Sequence, residues 1–199
     1  MKLTRTIKKL EAGEDTVIAA LGDSLTQGWM CPKGYLDFLE EMISMRYPQS
    51  SFSCINGGVP GNTARDGLAR LDGHIFIHQP HLIFIQFALN DAYTGLSPQA
   101  FKRDILSIIE RIEFATDAEM ALVTSTLIND TRENRVALTF YEILEEIGRT
   151  KGIVVAPVHQ YWQRQIDRGA PHRDLVQGDL VHPTVEGYRL MAEAIMEIF

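Results

Sequence analysis

The sequence predicts an α/β fold in which about five parallel strands form a single sheet covered by helices. Five short apolar runs recur along the chain, each bounded by turn-forming residues. Continuous apolar runs of this length are typical of strands that are buried on both faces. Segments with helical periodicity separate the runs. This alternation favours right-handed βαβ units and therefore a doubly wound sheet with a layer of helices on each face.

The five predicted strands follow one another at intervals that leave room for a helix between most of them. In chain order they are residues 16–22 (TVIAALG), 51–58 (SFSCINGG), 81–89 (HLIFIQFAL), 120–127 (MALVTSTL) and 152–158 (GIVVAPV).

Four segments carry an apolar stripe with helical spacing: residues 35–47, 97–114, 133–152 and 184–199. Ser97 and Pro98 suit the N-cap and first position of the second helix, and Gly152 suits the end of the third. Pro183 is expected to open the last helix from its first position. Residues 62–78 give a weaker helical pattern.

Length and composition describe one ordinary globular unit. The 199 residues are enough for one core but few for two, so residues 1–199 are taken as a single domain. No repeat, linker or low-complexity tract interrupts the chain. The 19 basic and 26 acidic residues give a formal net charge of −7. This balance offers no basic surface for nucleic acid, so a nucleic-acid partner is not expected.

Neither a membrane segment nor a disulfide framework is expected. The N-terminus is charged, and no apolar run reaches the roughly 18 to 20 residues that span a bilayer. The chain has two cysteines, Cys31 and Cys54, without metal-type spacing, so two reduced thiols are expected. These features favour a cytoplasmic protein.

Small and polar residues follow three of the predicted strands. Ser24 follows the first strand, Gly57, Gly58 and Gly61 end or follow the second, and Asn90 follows the third. In doubly wound sheets, ligands bind beyond the carboxyl ends of the strands. The sequence therefore predicts that these residues meet at one edge of the sheet.

A serine nucleophile needs a base and a group that orients that base. Asp179 and His182 supply both, since residues three apart on a helical turn bring their Cβ atoms to about 5–6 Å. Purely structural roles are the alternative for each residue. Ser24 would then be only the N-cap of a helix, and Asp179 would only hold the loop that precedes the last helix.

Stabilisation of an oxyanion requires hydrogen-bond donors. Backbone near the glycines and the Asn90 amide can supply them, although a tight turn and an Asx-turn explain the same residues. The other five histidines lack partners at metal-binding spacing, and neither GxGxxG nor GxxxxGK[ST] occurs. No metal and no cofactor are expected.

Four segments in order, GDSLT (22–26), NGGVPGNT (56–63), LND (89–91) and DLVHP (179–183), resemble the SGNH, or GDSL-type, hydrolases. The resemblance extends over nearly the whole chain. It implies a flavodoxin-like three-layer α/β/α sandwich and a serine hydrolase that needs no cofactor. The usual glycine of the third block is replaced by Ala88, which puts the geometry of the Asn90 loop in question.

Five positions match residues with a role in that family. The resemblance implies that Ser24 is the nucleophile, His182 the general base and Asp179 the acid that orients it. It also implies an oxyanion hole formed by the N–H groups of Ser24 and Gly58 and by the Asn90 side-chain amide. Asp23 is assigned to the turn.

The expected activity is hydrolysis of carboxylic ester or thioester bonds through an acyl-enzyme, with small or short-acyl substrates preferred. Trp29, Tyr93 and Leu96 are candidates for an acyl pocket, with packing in the core as the alternative. A carbohydrate O-deacetylase of the same fold is the second interpretation. A non-catalytic flavodoxin-like binding module is the third, but it leaves Asp179 and His182 unexplained. Nothing in the sequence indicates an oligomeric state.

Overall fold

A computed structural model describes residues 1–199 and contains a five-stranded, wholly parallel sheet with the strand order β2-β1-β3-β4-β5. The strands are β1 Thr16–Gly22, β2 Phe52–Gly58, β3 Leu82–Gln86, β4 Glu119–Val123 and β5 Val154–Ala156. Each lies within, or one residue beyond, an apolar run identified in the sequence. The predicted fold class is therefore confirmed.

Ten α-helices and one short 3₁₀ helix, Phe76–His78, surround the sheet. The α-helices are α1 Arg5–Glu11, α2 Ser24–Gln27, α3 Tyr35–Arg46, α4 Ala64–His74, α5 Leu89–Tyr93, α6 Pro98–Ala115, α7 Thr131–Lys151, α8 Val158–Asp167, α9 His172–Leu175 and α10 Val185–Met196.

The strand order separates the long helices into two layers. From β1 the chain moves outward to β2 through α3, and it then returns across the sheet to β3, β4 and β5 through α4, α6 and α7. Because right-handed crossovers in opposite directions lie on opposite faces, α3 faces away from the other three. Helix α10 packs on α3 and α8, whereas α6 packs on α4 and α7. The result is a three-layer α/β/α sandwich.

The central strand β3 explains why continuous apolar runs predicted this sheet. All five of its residues are buried, since helices cover both of its faces. At its carboxyl end, the Gln86 side chain accepts a hydrogen bond from Thr26 Oγ1 (2.8 Å) and donates one to Ser125 Oγ (2.8 Å). Gln86 therefore links helix α2, which follows β1, to the loop that follows β4.

The start of the last helix differs from the prediction. Thr184 is its N-cap and accepts a hydrogen bond from Gly187 N–H at 3.2 Å. Pro183 lies before the cap and forms an antiparallel bridge with Val176. A proline that precedes the cap fixes the entry of the chain into α10, but it does not occupy the first helical position.

A carboxylate from the sheet caps the N-terminal helix. Glu119, at the start of β4 and 9% exposed, accepts hydrogen bonds from the N–H groups of Thr4 (2.8 Å), Arg5 (3.3 Å) and Thr6 (2.8 Å). The Thr6 hydroxyl adds a fourth at 2.8 Å. Burial acts to raise the pKa of Glu119, but these bonds outweigh it and lower the pKa below its ordinary value.

We expect Glu119→Gln to lower the free energy of unfolding by about 1–3 kcal/mol, because an amide NH₂ would face helix N–H groups. A carboxyl with a lowered folded pKa stabilises the protein above its unfolded pKa, and that contribution is lost as the pH falls through the folded value. Urea unfolding at pH 7 and at pH 3 checks both points. The difference from wild type should shrink at pH 3, and exposed Glu110→Gln should show no such difference.

Candidate active site

Ser24 lies where strand β1 gives way to the short helix α2. Asp23 is the N-cap of this helix, and its Oδ1 accepts the Leu25 N–H at 2.9 Å. Ser24 is the first residue of α2, so its own N–H has no acceptor within the helix. Ser24 is buried, with 7% of the residue exposed. The local fold therefore presents a serine hydroxyl beside an unpaired backbone donor.

Asp179 and His182 lie in a tight loop between α9 and α10. The carbonyl of His182 accepts the Gln177 N–H at 2.7 Å, and Leu175 O accepts the Thr184 N–H at 2.9 Å. These bonds close the loop from both sides. The loop is not the helical turn assumed from the sequence, since Leu180 has a φ of +65°.

Within the loop, one carboxylate oxygen of Asp179 organises the backbone and the other contacts the imidazole. Oδ1 accepts the N–H groups of Val181 (3.0 Å) and His182 (2.9 Å). Oδ2 lies 2.6 Å from His182 Nδ1. A spacing of three residues suits this contact because the aspartate folds the chain around itself.

The three side chains form one hydrogen-bonded series, in which His182 Nε2 lies 2.9 Å from Ser24 Oγ. With Asp179 beside Nδ1, the proton of a neutral imidazole belongs on Nδ1, and Nε2 is left to accept the Ser24 hydroxyl proton. Burial acts to raise the pKa of Asp179, but the bonds from Val181 and His182 lower it overall. The carboxylate is thus ionised when the imidazole is neutral.

Asn90 lies in α5, and its side chain lies in the same cavity as Ser24 and His182. Its Nδ2 donates one hydrogen bond to Asn62 O at 3.0 Å, which leaves a second N–H available. Asn62 is itself held by Arg70 Nε, which binds its Oδ1 at 2.7 Å, while Arg70 Nη2 binds Gly22 O at 2.8 Å. Arg70 therefore connects the Asn62 loop to the end of β1, two residues before Ser24.

The structure does not support Gly58 as an oxyanion donor. Its N–H is already bound to Asn56 Oδ1 at 2.9 Å, and Gly58 packs beneath α2, where a Cβ would come 2.2 Å from Gln27 N. Gly61 fits better: it is exposed, has a φ of +79° and donates no hydrogen bond from its N–H. The sequence indicated close backbone approach at both glycines. It could not show which of the two N–H groups donates a hydrogen bond to the Asn56 side chain.

One cavity contains the residues brought together here. It has a volume of about 220 Å³ and is lined by Asp23, Ser24, Leu25, Leu89, Asn90, Tyr93, Asp179, Val181 and His182. Ala88 does not narrow it, because its methyl group is fully buried in the core. Four of the five predicted site residues line this cavity, and Gly58 does not.

Two buried carboxyl groups, Asp23 and Asp91, belong to the turns around the cavity. Burial raises the pKa of Asp23 to about 7, and charge repulsion from Asp91 adds to this rise. Burial likewise raises the pKa of Asp91 to about 6, with charge repulsion from Asp104 and Asp66. Asp91 Oδ1 accepts the Ala64 N–H at 3.0 Å, so it fixes the start of α4. Asp23 and Asp91 therefore act in the turns, as assigned for Asp23 from the sequence.

The sequence profile of the GDSL-like lipase/acylhydrolase family matches residues 20–190. The chain belongs to this family. The match spans all four sequence blocks and includes Ser24, Asn90, Asp179 and His182. The family resemblance is thereby confirmed, and with it the prediction of an ester-hydrolysing enzyme of the serine hydrolase type.

Curated relatives of this acylhydrolase include three esterases. An arylesterase of Vibrio mimicus is 22% identical over 182 residues, which cover 90% of this chain and 86% of that protein. A thioesterase 1/protease 1/lysophospholipase L1 of Escherichia coli K12 is 30% identical over 112 residues, 56% of this chain and 51% of that protein. An acetylxylan esterase of Geobacillus stearothermophilus is 22% identical, with 94% of each chain covered.

Solved structures share the fold. LAE5, an alpha/beta hydrolase from the metagenome of Lake Arreo, superposes with a TM-score of 0.82 at 19% identity, over 92% of this chain and 94% of that one. Axe2, an acetylxylan esterase from Geobacillus stearothermophilus, superposes with a TM-score of 0.81 at 16% identity, over 92% of this chain and 93% of that one.

Two further findings concern metal sites and membrane spans in this acylhydrolase. No three His, Cys, Asp or Glu side chains are grouped to hold a metal ion, and no helix has the length and apolarity of a membrane span.

An apolar groove adjoins the Ser24 cavity and shares Leu89 and Tyr93 with it. The groove has a volume of about 270 Å³, and its remaining lining residues are Ala92, Ile128, Arg132, Glu133, Val136 and Ala137. Tyr93, a predicted acyl-pocket residue, therefore lies between cavity and groove. Leu96 lines neither. Trp29 lines neither cavity nor groove, but its ring centroid lies 6.1 Å from that of His182.

Proposed function

We propose that this acylhydrolase cleaves carboxylic esters or thioesters with Ser24 as nucleophile, His182 as general base and Asp179 as the group that orients it. The observation that carries the proposal is the continuous series Ser24 Oγ–His182 Nε2–Asp179, with distances of 2.9 and 2.6 Å between successive groups. In this arrangement the serine proton passes to Nε2 as Oγ attacks the carbonyl carbon. Asp179 stabilises the imidazolium that forms.

The oxyanion that develops on the carbonyl oxygen requires donors that are free before the reaction. The Ser24 N–H, the second N–H of Asn90 Nδ2 and the Gly61 N–H meet this requirement, whereas Gly58 does not. Collapse of the tetrahedral intermediate transfers the proton from His182 to the leaving group and leaves Ser24 acylated. Water, deprotonated by His182, then releases the acid.

Asn90→Ala is expected to lower kcat by about 10²–10³-fold, with little change in KM, because its amide binds the oxyanion more strongly than the ground-state carbonyl. Steady-state kinetics with a nitrophenyl ester checks this. Replacing exposed Gln99 by alanine removes a side-chain amide outside the Ser24 cavity and should leave kcat unchanged. Equal losses in both variants would argue against Asn90 as an oxyanion donor.

The position of the apolar groove suggests where each part of the substrate binds. The acyl chain is proposed to run past Leu89 and Tyr93 into the groove, and the leaving group to lie beside His182 and Trp29. A volume of about 270 Å³ is roughly nine times the share of one water molecule in the liquid, more than an acetyl group needs. The proposed substrates therefore have short acyl chains longer than acetyl.

Val136→Phe is expected to reduce kcat/KM for the longer acyl chains and to leave acetyl esters unaffected, since Val136 lines the groove and is 49% exposed. A nitrophenyl ester series from acetate upward, assayed on wild type and variant, measures this shift. Ile77→Phe places the same ring on an exposed residue outside the groove and serves as the control. Uniform loss across the series would mean that the groove does not hold the acyl chain.

A carbohydrate O-deacetylase remains the second candidate because one observation favours it. A polar cavity of about 280 Å³ shares Ile128 with the groove and is lined by groups that can bind hydroxyls, among them Asn129, Asn134, Gln163 and His172. Acetylated sugars included in the ester panel distinguish the two candidates. Efficient acetate release from them, with a steep preference for acetyl among nitrophenyl esters, would favour the deacetylase.

A further inference from the structure

Ser24 and His182 belong to separate segments of the chain. Ser24 lies in the loop that contains the short helix α2, His182 lies in the loop between α9 and α10, and a contact is needed to hold the two loops together. The bonds that close the His182 loop upon itself, Gln177 N–H to His182 O and Thr184 N–H to Leu175 O, fix its shape. They do not fix its distance from the serine. The contact between Ser24 Oγ and His182 Nε2 is a single hydrogen bond at 2.9 Å.

The Gln177 side chain spans the gap between the two loops. Its Nε2 donates to Trp29 O at 3.0 Å and to Pro183 O at 2.8 Å. Trp29 follows α2, and its N–H binds Ser24 O at 3.1 Å. Pro183 directly follows His182. One amide nitrogen thus uses both of its N–H groups, one on the serine side and one on the histidine side.

No other side chain makes the same pair of bonds. The Cys31 thiol contacts Pro183 O at 3.4 Å and lies 3.6 Å from Gln177 Nε2, so it is a weaker neighbour of the same link. Gln177 does not line the Ser24 cavity. Its side chain therefore contacts the two loops but not the place where the substrate would react.

We propose that Gln177 is a positioning residue that sets the distance between Ser24 Oγ and His182 Nε2. The proposal rests on the proposed function, since it concerns the same nucleophile and base. Proton transfer depends steeply on this distance, and a displacement of about 1 Å can cost about 10²-fold in rate. Asp179 and His182 lie in the same loop, so loss of the link moves the pair as a unit and preserves their contact.

The test replaces Gln177 by methionine, which keeps the length of the side chain and removes both donors. We expect kcat for a nitrophenyl ester, and the rate of Ser24 labelling by a fluorophosphonate, to fall together by about 10–100-fold. KM and the midpoint of the pH profile should stay at their wild-type values. Gln49→Met is the matched control, because Gln49 Nε2 also donates to a backbone carbonyl, Glu11 O at 3.3 Å, far from Ser24 in an exposed turn before β2.

Two results would overturn the proposal: an unchanged kcat in folded Gln177→Met, whether or not KM rises, or a shifted midpoint of the pH profile. If Gln177→Met does not fold, Gln177→Asn takes its place, because the shorter amide cannot reach both carbonyls. A loss of kcat there supports the proposal and wild-type kcat overturns it. Failure of the proposed function is seen separately, as wild-type protein that the fluorophosphonate does not label at Ser24.

Discussion

Ser24→Ala is expected to lower kcat for ester hydrolysis by about 10⁵–10⁶-fold, because no other group can form the acyl-enzyme. His182→Ala should cause a loss of similar size, since Ser24 Oγ then has no base at 2.9 Å. The double variant should be no worse than either single one, because nucleophile and base act as a unit. Steady-state rates of all three variants on one nitrophenyl ester measure this.

Two surface substitutions serve as controls for these variants. Ser53→Ala and His78→Ala remove the same side chains from exposed positions outside the Ser24 cavity, and both should retain wild-type kcat. Activity of Ser24→Ala comparable to these controls would exclude the acyl-enzyme mechanism. Losses in the double variant equal to the product of the single losses would show that Ser24 and His182 act independently.

Asp179→Asn is expected to lower kcat by about 10⁴-fold while the fold stays intact. An asparagine oxygen can still accept the Val181 and His182 N–H groups, so the loop is retained. Its amide nitrogen would face His182 Nδ1 as a donor, which favours the tautomer with the proton on Nε2. That tautomer cannot accept the proton of Ser24.

The pH dependence separates this effect from a simple loss of charge. The pKa of Asp179 lies below its ordinary value, so the wild-type carboxylate is ionised throughout the range in which the enzyme would work. The defect of Asp179→Asn should therefore persist from pH 6 to pH 9. Recovery at high pH would contradict the assignment of Asp179. Exposed Asp167→Asn is the control.

Most of the sheet could be predicted from the sequence because burial on both faces leaves a direct signal. Strand β3, with no exposed residue, is the clearest case. The position of Pro183 could not be predicted in the same way. A proline fits both before an N-cap and at the first helical position, and the choice depends on the bridge to Val176, a contact between residues seven apart.

The candidate site shows the same division. The sequence pointed to Ser24, Asn90, Asp179 and His182 because each carries a functional group whose chemistry is specific, and all four line one cavity. The choice between Gly58 and Gly61 could not be made from the sequence because a backbone N–H has no such identity, and only the structure shows that the Gly58 N–H is bound to Asn56 Oδ1. Gln177 and Arg70 act through contacts between loops, which a sequence does not display. Cytoplasmic localisation stays a prediction.

The most direct test of the central claim is to react the protein with a fluorophosphonate and locate the modified residue by peptide mass spectrometry. We predict a single modification on Ser24, absent from Ser24→Ala and slowed in His182→Ala, together with loss of ester hydrolysis in proportion to the labelled fraction. Modification of another residue, or full ester turnover after Ser24 is labelled, would contradict the proposed mechanism.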